Sequence, residues 1–136
     1  MYVRVDGSMA KPPVPRGGET MTDLEIYLYS SCTSCRNAEA LLRERGVTAK
    51  RRDYFKERFS KSELADVLER AGVTPGQVLS TRSTPYRELN LAERSISDDE
   101  LLDLMVIHPQ LLKRPLIVKN GHSTLGFNRS AIEALI

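Results

Sequence analysis

Cys32-Thr-Ser-Cys35 constrains this chain more than any other feature, because it joins two stretches of different periodicity. Before it, Leu24-Glu-Ile-Tyr-Leu28 alternates apolar and polar residues, the pattern of a half-buried strand. Ser30-Ser31 breaks the alternation. After it, Arg36-Asn-Ala-Glu-Ala-Leu-Leu-Arg-Glu-Arg45 reads as an amphipathic helix that ends at Gly46. The pair therefore sits at a strand-to-helix turn, with Cys32 at or just before the first helical turn. Free backbone N–H groups and the positive end of the helix dipole stabilise a thiolate there. Such positions lower a cysteine pKa from about 8.5 into roughly the 3.5–7.5 range. Cys35, three residues on, is within reach to close a disulfide with Cys32.

Other uses of the pair are narrow. Two cysteines cannot complete a four-ligand zinc site, and His108 and His122 are distant in sequence, so no metal is expected. At 136 residues, 40% hydrophobic and 28% charged, the chain is one soluble domain with room for a real core. A net charge of +2 is too small for direct nucleic-acid binding through a bulk positive field. No apolar run approaches the roughly 18 residues that span a membrane. The N-terminus lacks the apolar core of a secretory signal, which makes a reducing cytoplasm the default setting. There, vicinal cysteines are catalytic or sensing groups, or two inert buried thiols, rather than a structural brace.

Residues 1–22 carry Lys11-Pro-Pro-Val-Pro-Arg-Gly-Gly18 and no periodicity, so they read as a flexible leader or tag ahead of a single domain at 23–136. Within that domain Thr48 to Tyr54 suits a second strand, unusually charged at Lys50-Arg51-Arg52. Ser60-Lys-Ser-Glu63 and Ser97-Asp-Asp-Glu100 are capping boxes that open two helices. The first carries Leu64, Val67, Leu68 and Ala71 and ends at Gly72; the second carries Leu101, Leu102, Leu104, Met105 and Ile107 and ends at Pro109. Thr74 to Leu79 is a short helix or turn. Leu116-Ile-Val118, the hairpin signal Asn120-Gly121 and Ser123 to Phe127 make two strands, and Arg129 to Leu135 a last helix. The order predicts an α/β thioredoxin-like fold: an N-terminal βαβ unit, a helical insertion at about 57–113, and a C-terminal ββα unit.

At this point the chain resembles a known family, the arsenate reductase (ArsC) and Spx-like branch of the thioredoxin superfamily. The resemblance covers roughly residues 24 to 136. It rests on Tyr29-Ser-Ser-Cys-Thr-Ser-Cys-Arg36, Ser80-Thr-Arg-Ser83, His108-Pro109, Leu111-Leu-Lys-Arg-Pro-Leu-Ile-Val118 and Gly126-Phe-Asn128, in that order. It implies a nucleophile at Cys32, an assisting arginine at Arg36, oxyanion-binding arginines at Arg82 and Arg114, and a cis-proline at Pro115. Arginine suits such a site because its planar fork stays charged and binds oxyanions bidentately. Cys35 would resolve a Cys32 adduct as an intramolecular disulfide, reopened by thioredoxin or by glutathione and glutaredoxin, with no metal or organic cofactor.

The resemblance has two departures. Arsenate reductases coupled to glutaredoxin carry a third arginine where this chain has Gly126-Phe-Asn128, with Arg129 just beyond. Many of them lack a cysteine at the Cys35 position, whereas Spx-type regulators have one and use it as a redox switch on RNA polymerase. Two expectations follow: an arsenate reductase-like thiol oxidoreductase, or a regulator whose Cys32–Cys35 disulfide controls a polymerase-binding surface. Other candidate side chains read as scaffold. His108 is a helix cap or core contact, His122 a turn residue, Tyr29 and Tyr54 packing groups, and residues 101–112 core rather than a partner groove.

Overall fold

Strand β1 (Leu24–Leu28) has neighbours on both sides. It runs parallel to β2 (Lys50–Asp53), reached through helix α1 (Thr33–Glu44), and antiparallel to β3 (Leu116–Lys119). β3 pairs in turn with β4 (His122–Leu125), giving the sheet order β2-β1-β3-β4. The chain closes with α5 (Arg129–Leu135). This is the thioredoxin-like α/β arrangement. The computed structural model describes residues 24–136, so the stretch read as a leader lies outside the described residues.

The sheet faces define two cores. Leu24, Ile26 and Leu28 pack with Cys35, Ala38, Leu41 and Leu42 of α1, Ile117 of β3 and Ile132 of α5. Tyr27, on the opposite face, joins Leu64, Val67, Leu68, Met105 and Leu116. β1 is thus covered on both sides, not half-buried as its alternation suggested. The helical insertion covers the second face, and Glu25 is tolerated there because Arg70 pairs with it at 2.8 Å while the Tyr27 hydroxyl donates to it.

The charged strand β2 is explained by its place at the sheet edge. Lys50 and Arg51 are exposed there, Arg51 bonded to Glu39, whereas Asp53 at the strand's end is buried. α1 begins three residues before the predicted start, turns Cys35, Ala38, Leu41 and Leu42 inward, and is capped by Arg45 ahead of Gly46 at φ 66°.

Between β2 and β3 the chain first forms α2 (Lys61–Ala71), opened by the complete Ser60–Glu63 capping box and closed by Gly72 in the left-handed conformation. Thr74 to Val78 is turn, held by Thr74 and Gln77 bonding each other's backbone N–H, not helix. Helix α3 (Thr84–Glu88), with Pro85 in its first turn, and a short 3-10 segment at Leu91–Glu93 were not foreseen. α4 (Asp98–Ile107) has only half a capping box: Ser97 accepts from the Glu100 N–H, but the Glu100 carboxylate turns to Arg94. Leu101 and Met105 are buried, Leu102 and Leu104 half-buried, and Ile107, read as core, is 61% exposed. That stretch is therefore core on one side of α4 only. His108 caps the helix and Pro109–Leu111 adds a 3-10 turn.

The insertion closes on itself where it rejoins the sheet. Leu79 bridges Leu112, the Ser80 N–H donates to the Leu111 carbonyl at 2.7 Å, and the Lys113 N–H donates to the Val78 carbonyl at 2.8 Å. At the β3–β4 hairpin Asn120 (φ 48°) and Gly121 (φ 82°) both adopt positive φ, as a type I′ turn requires. His122 consequently opens β4 and pairs with Lys119 instead of lying in the turn, and β4 stops at Leu125 rather than Phe127.

Candidate active site

Cys32 is the N-cap residue of α1, with extended backbone (φ −84°, ψ 129°) and no side-chain cap, so its sulfur lies where the helix's first N–H groups are free. Its own N–H donates to the Tyr29 carbonyl at 2.9 Å, which fixes the turn. Burial opposes ionisation of this thiol. The N–H groups of Cys35 and Ser34, the Cys35 thiol and the Arg114 charge together outweigh that burial and hold its pKa below the ordinary thiol value. Cys35, one turn into the helix, is fully buried, and its sulfur accepts from the Tyr29 N–H at 3.5 Å. Burial pushes its thiol up to about 12, with the contact to Cys32 adding to the rise. Both cysteines are free thiols. One sulfur is reachable and acidic; the other is hidden and protonated.

Arg114 supplies the charge. It precedes β3, and the Arg114–Pro115 peptide is cis. Its guanidinium lies 5.3 Å from the Phe55 ring and 5.8 Å from the Tyr29 ring, which stack on each other at 4.0 Å. This aromatic bed keeps the cation near the sulfur, and among the described residues no carboxylate pairs with it. Arg114 Nε is buried without a hydrogen-bond partner, so an N–H donor remains in the site. Tyr54 lines the same region: its hydroxyl donates to the Leu112 carbonyl at 3.1 Å, and burial pushes its phenol up despite the nearby Arg114 charge.

The other predicted residues sit further out. Arg36 gives its backbone N–H to the Cys32 carbonyl at 3.0 Å, but its side chain is exposed. Arg82 is exposed in the turn after Ser80, which the Ser80–Leu111 and Lys113–Val78 bonds hold beside the approach to Arg114; its carbonyl accepts from Arg87. Arg129 pairs with Glu44 at 2.7 Å and Glu133 at 3.3 Å. Glu44 ends α1, about 16 Å along the helix axis from its first residue, so these ion pairs hold the Arg129 side chain at the end of α1 away from Cys32.

Sequence reading missed two contributors. Phe55 forms half of the bed under Arg114, and Asp53 accepts hydrogen bonds from both the turn before Cys32 and the turn after β2. A lone acid ending a strand of Lys50, Arg51 and Arg52 was the available signal for Asp53. Among the described residues, no group of three or more His, Cys, Asp or Glu side chains is placed to hold a metal, and no helix is long and apolar enough to cross a membrane.

An acidic thiol at a helix start, a buried second thiol and a cation beside a cis-proline define a vicinal-thiol protein of thioredoxin-like fold. A family model described as the ArsC family matches residues 27–135. The chain belongs to the ArsC family. It is 32% identical to the global transcriptional regulator Spx of Listeria monocytogenes, over 82% of this chain and 85% of that protein. It is 39% identical to the arsenate reductase of Rhizobium meliloti, over 68% of this chain and 66% of that protein. Among solved structures, an arsenate reductase from Vibrio cholerae superposes with a TM-score of 0.76 at 27% identity, covering 86% of this chain and all of that one.

Proposed function

We propose that this protein is a thiol-dependent oxidoreductase in which Cys32 attacks an oxyanion such as arsenate, or a disulfide, and Cys35 resolves the adduct. The observation that carries the reading is the opposed setting of the two sulfurs: Cys32 is half-buried at the helix N-cap, where N–H groups and Arg114 favour its thiolate, and Cys35 is fully buried beneath it, where burial favours the thiol. In the oxyanion case the Cys32 thiolate forms a sulfur–arsenic bond, and an arsenate hydroxyl leaves as water with a proton taken from solvent. Arg114, with Arg82 at the rim, offsets the repulsion between thiolate and oxyanion. Cys35 then attacks the Cys32 sulfur. The sulfur–arsenic bond breaks, its electron pair reduces As(V) to As(III), and the Cys35 proton leaves with the arsenite.

Burial is the main cause that keeps Cys35 protonated, and contact with the Cys32 thiolate adds to it. Bonding Cys32 to arsenic removes the second contribution and so eases ionisation of the resolving thiol. The Cys32–Cys35 disulfide is reopened by thiolate exchange with an external dithiol such as thioredoxin, or with glutathione and glutaredoxin. A coupled assay with arsenate and each reducing system tests the proposal; absence of turnover in both, from protein with titrated free thiols, refutes the oxyanion reading.

A second reading is favoured by one observation, the tying of Arg129 to Glu44 and Glu133 where a third oxyanion-binding arginine is absent. In it the same dithiol is a redox switch that alters binding to RNA polymerase, in the manner of the Spx relatives. Disulfide-dependent retention of polymerase, with no arsenate turnover, supports this reading over the first.

A further inference from the structure

The pairing of β1 with β2 ends at Leu28 opposite Asp53, with a final bond from the Tyr54 N–H to the Leu28 carbonyl at 3.2 Å. Beyond it the two chains part: one enters the turn that carries Cys32, the other the turn that carries Phe55. No further sheet bond holds them together, yet the site needs Tyr29 stacked on Phe55 beneath Arg114 and bonded to both cysteines.

Asp53 spans this gap. One carboxylate oxygen, Oδ2, accepts from the Ser30 N–H at 3.1 Å and the Ser30 hydroxyl at 2.7 Å. The other, Oδ1, accepts from the Phe55 N–H at 2.9 Å and the Lys56 N–H at 3.3 Å. A carboxylate that only shaped its own turn would bond the N–H groups two and three residues on and stop there. Here the second oxygen crosses to the neighbouring strand's turn, on a side chain 5% exposed.

We propose that Asp53 is a positioning residue for the reactive thiol: its forked carboxylate ties the Ser30 turn to the Phe55 turn and so sets Cys32 against Arg114. The inference rests on the reading of Cys32 as the reactive sulfur. It adds a residue that touches neither substrate nor sulfur and acts through Tyr29 and Phe55.

Asp53→Asn separates position from charge. The amide oxygen still accepts from Phe55 and Lys56, but the NH2 group faces the Ser30 N–H, donor against donor, and the bridge opens. Removing a negative charge near Cys32 would by itself favour the thiolate and lower its titration midpoint. Losing the alignment with Arg114 and the helix N–H groups raises it. The two roles therefore predict opposite signs.

The experiment titrates thiolate absorbance in a Cys35→Ser background, with Asp53→Asn, Asp53→Ala and Ser30→Ala added singly, and records a thermal melt for each. Gly46→Ala, remote from the site, serves as a variant that lowers stability only. The expected result is a Cys32 midpoint raised by about half to one pH unit in Asp53→Asn, roughly three- to tenfold less thiolate below the midpoint. Asp53→Ala should match it at lower stability, and Ser30→Ala should fall between. A midpoint that stays put or falls, while melting temperature drops, overturns the proposal and leaves Asp53 a scaffold carboxylate. If Cys32 of the Cys35→Ser parent titrates at or above the ordinary thiol value, the thiol reading itself has failed, independently of arsenate turnover.

Discussion

Separate removal of the two cysteines should expose their asymmetry in a single rate. Cys35→Ser leaves Cys32 as the only thiol, and Cys32→Ser leaves Cys35. With its pKa pushed up to about 12, Cys35 is ionised at pH 8 to about one part in ten thousand. A thiol at the unperturbed value of about 9 is roughly one-tenth thiolate at that pH, and Cys32 lies below it, so the thiolate ratio exceeds about nine hundred. Intrinsic nucleophilicity works the other way. With a Brønsted slope of about 0.5, the more basic sulfur recovers roughly thirtyfold over a thiol at about 9. Chemistry alone then favours Cys32 by about thirtyfold for a pKa near the assay pH and by less the further that pKa falls, and the complete burial of Cys35 widens the gap. Loss of the Cys32 sulfur relieves part of what raises Cys35, so the measured factor is taken in both single variants. The assay is iodoacetamide alkylation followed by intact mass at pH 8, repeated in denaturant. The reasoning is refuted if the native rates agree within threefold, or if the difference survives unfolding, since it would then owe nothing to the fold.

Arg114→Met should raise the Cys32 titration midpoint because it deletes the cation that favours the thiolate; Arg114→Lys should keep most of the charge but lose the fork, so sulfate or phosphate protects Cys32 from alkylation less well. An unchanged midpoint in Arg114→Met would exclude the arginine from the site. Gly72→Ala should destabilise by about 2–4 kcal/mol, combining a left-handed backbone with a Cβ 2.6 Å from the Gly121 carbonyl oxygen, whereas Gly46→Ala should cost only about 1 kcal/mol, since nothing lies within 4 Å. Equal melting shifts would show that the close approach does not matter. Burial opposes Asp53 ionisation, but the Ser30, Phe55 and Lys56 bonds hold its pKa below the unfolded value; its stabilisation is therefore complete above the unfolded carboxylate pKa and is lost as pH falls through the folded one. Asp53→Asn should accordingly flatten the drop in melting temperature between neutral and strongly acid pH, and an unaltered acid limb would count against this. Arg129→Ala should cost no more than about 1 kcal/mol and leave the Cys32 midpoint in place, because its ion pairs are exposed and at the far end of α1.

What the sequence made legible were the features set by local chemistry. The capping box at Ser60, the left-handed stop at Gly72, the Asn120-Gly121 turn and the helix start behind Cys32 all depend on a few adjacent residues. What escaped depends on partners distant in sequence. The alternation of Glu25 and Tyr27 looked solvent-facing because Arg70, 45 positions later, is what satisfies Glu25. Glu100 left its box because Arg94 competes for it. Arg114 could be placed by resemblance, but its seat on Tyr29 and Phe55 could not, because those rings are brought together by a bridge from Asp53 to Ser30 across 23 positions.

Among the described residues β2 is an edge strand, and this bears on how the protein behaves at high concentration. Copies of a protein at high concentration meet repeatedly, and a strand at a sheet edge invites them to add on. β2 presents Lys50 and Arg51 along that edge. Two molecules aligning edge to edge would bring these cations together, and among the described residues Arg51 alone of the two is bonded to a carboxylate, Glu39. The charges that make β2 an improbable strand by composition thus act as a colloidal barrier, keeping edge-to-edge encounters between copies brief.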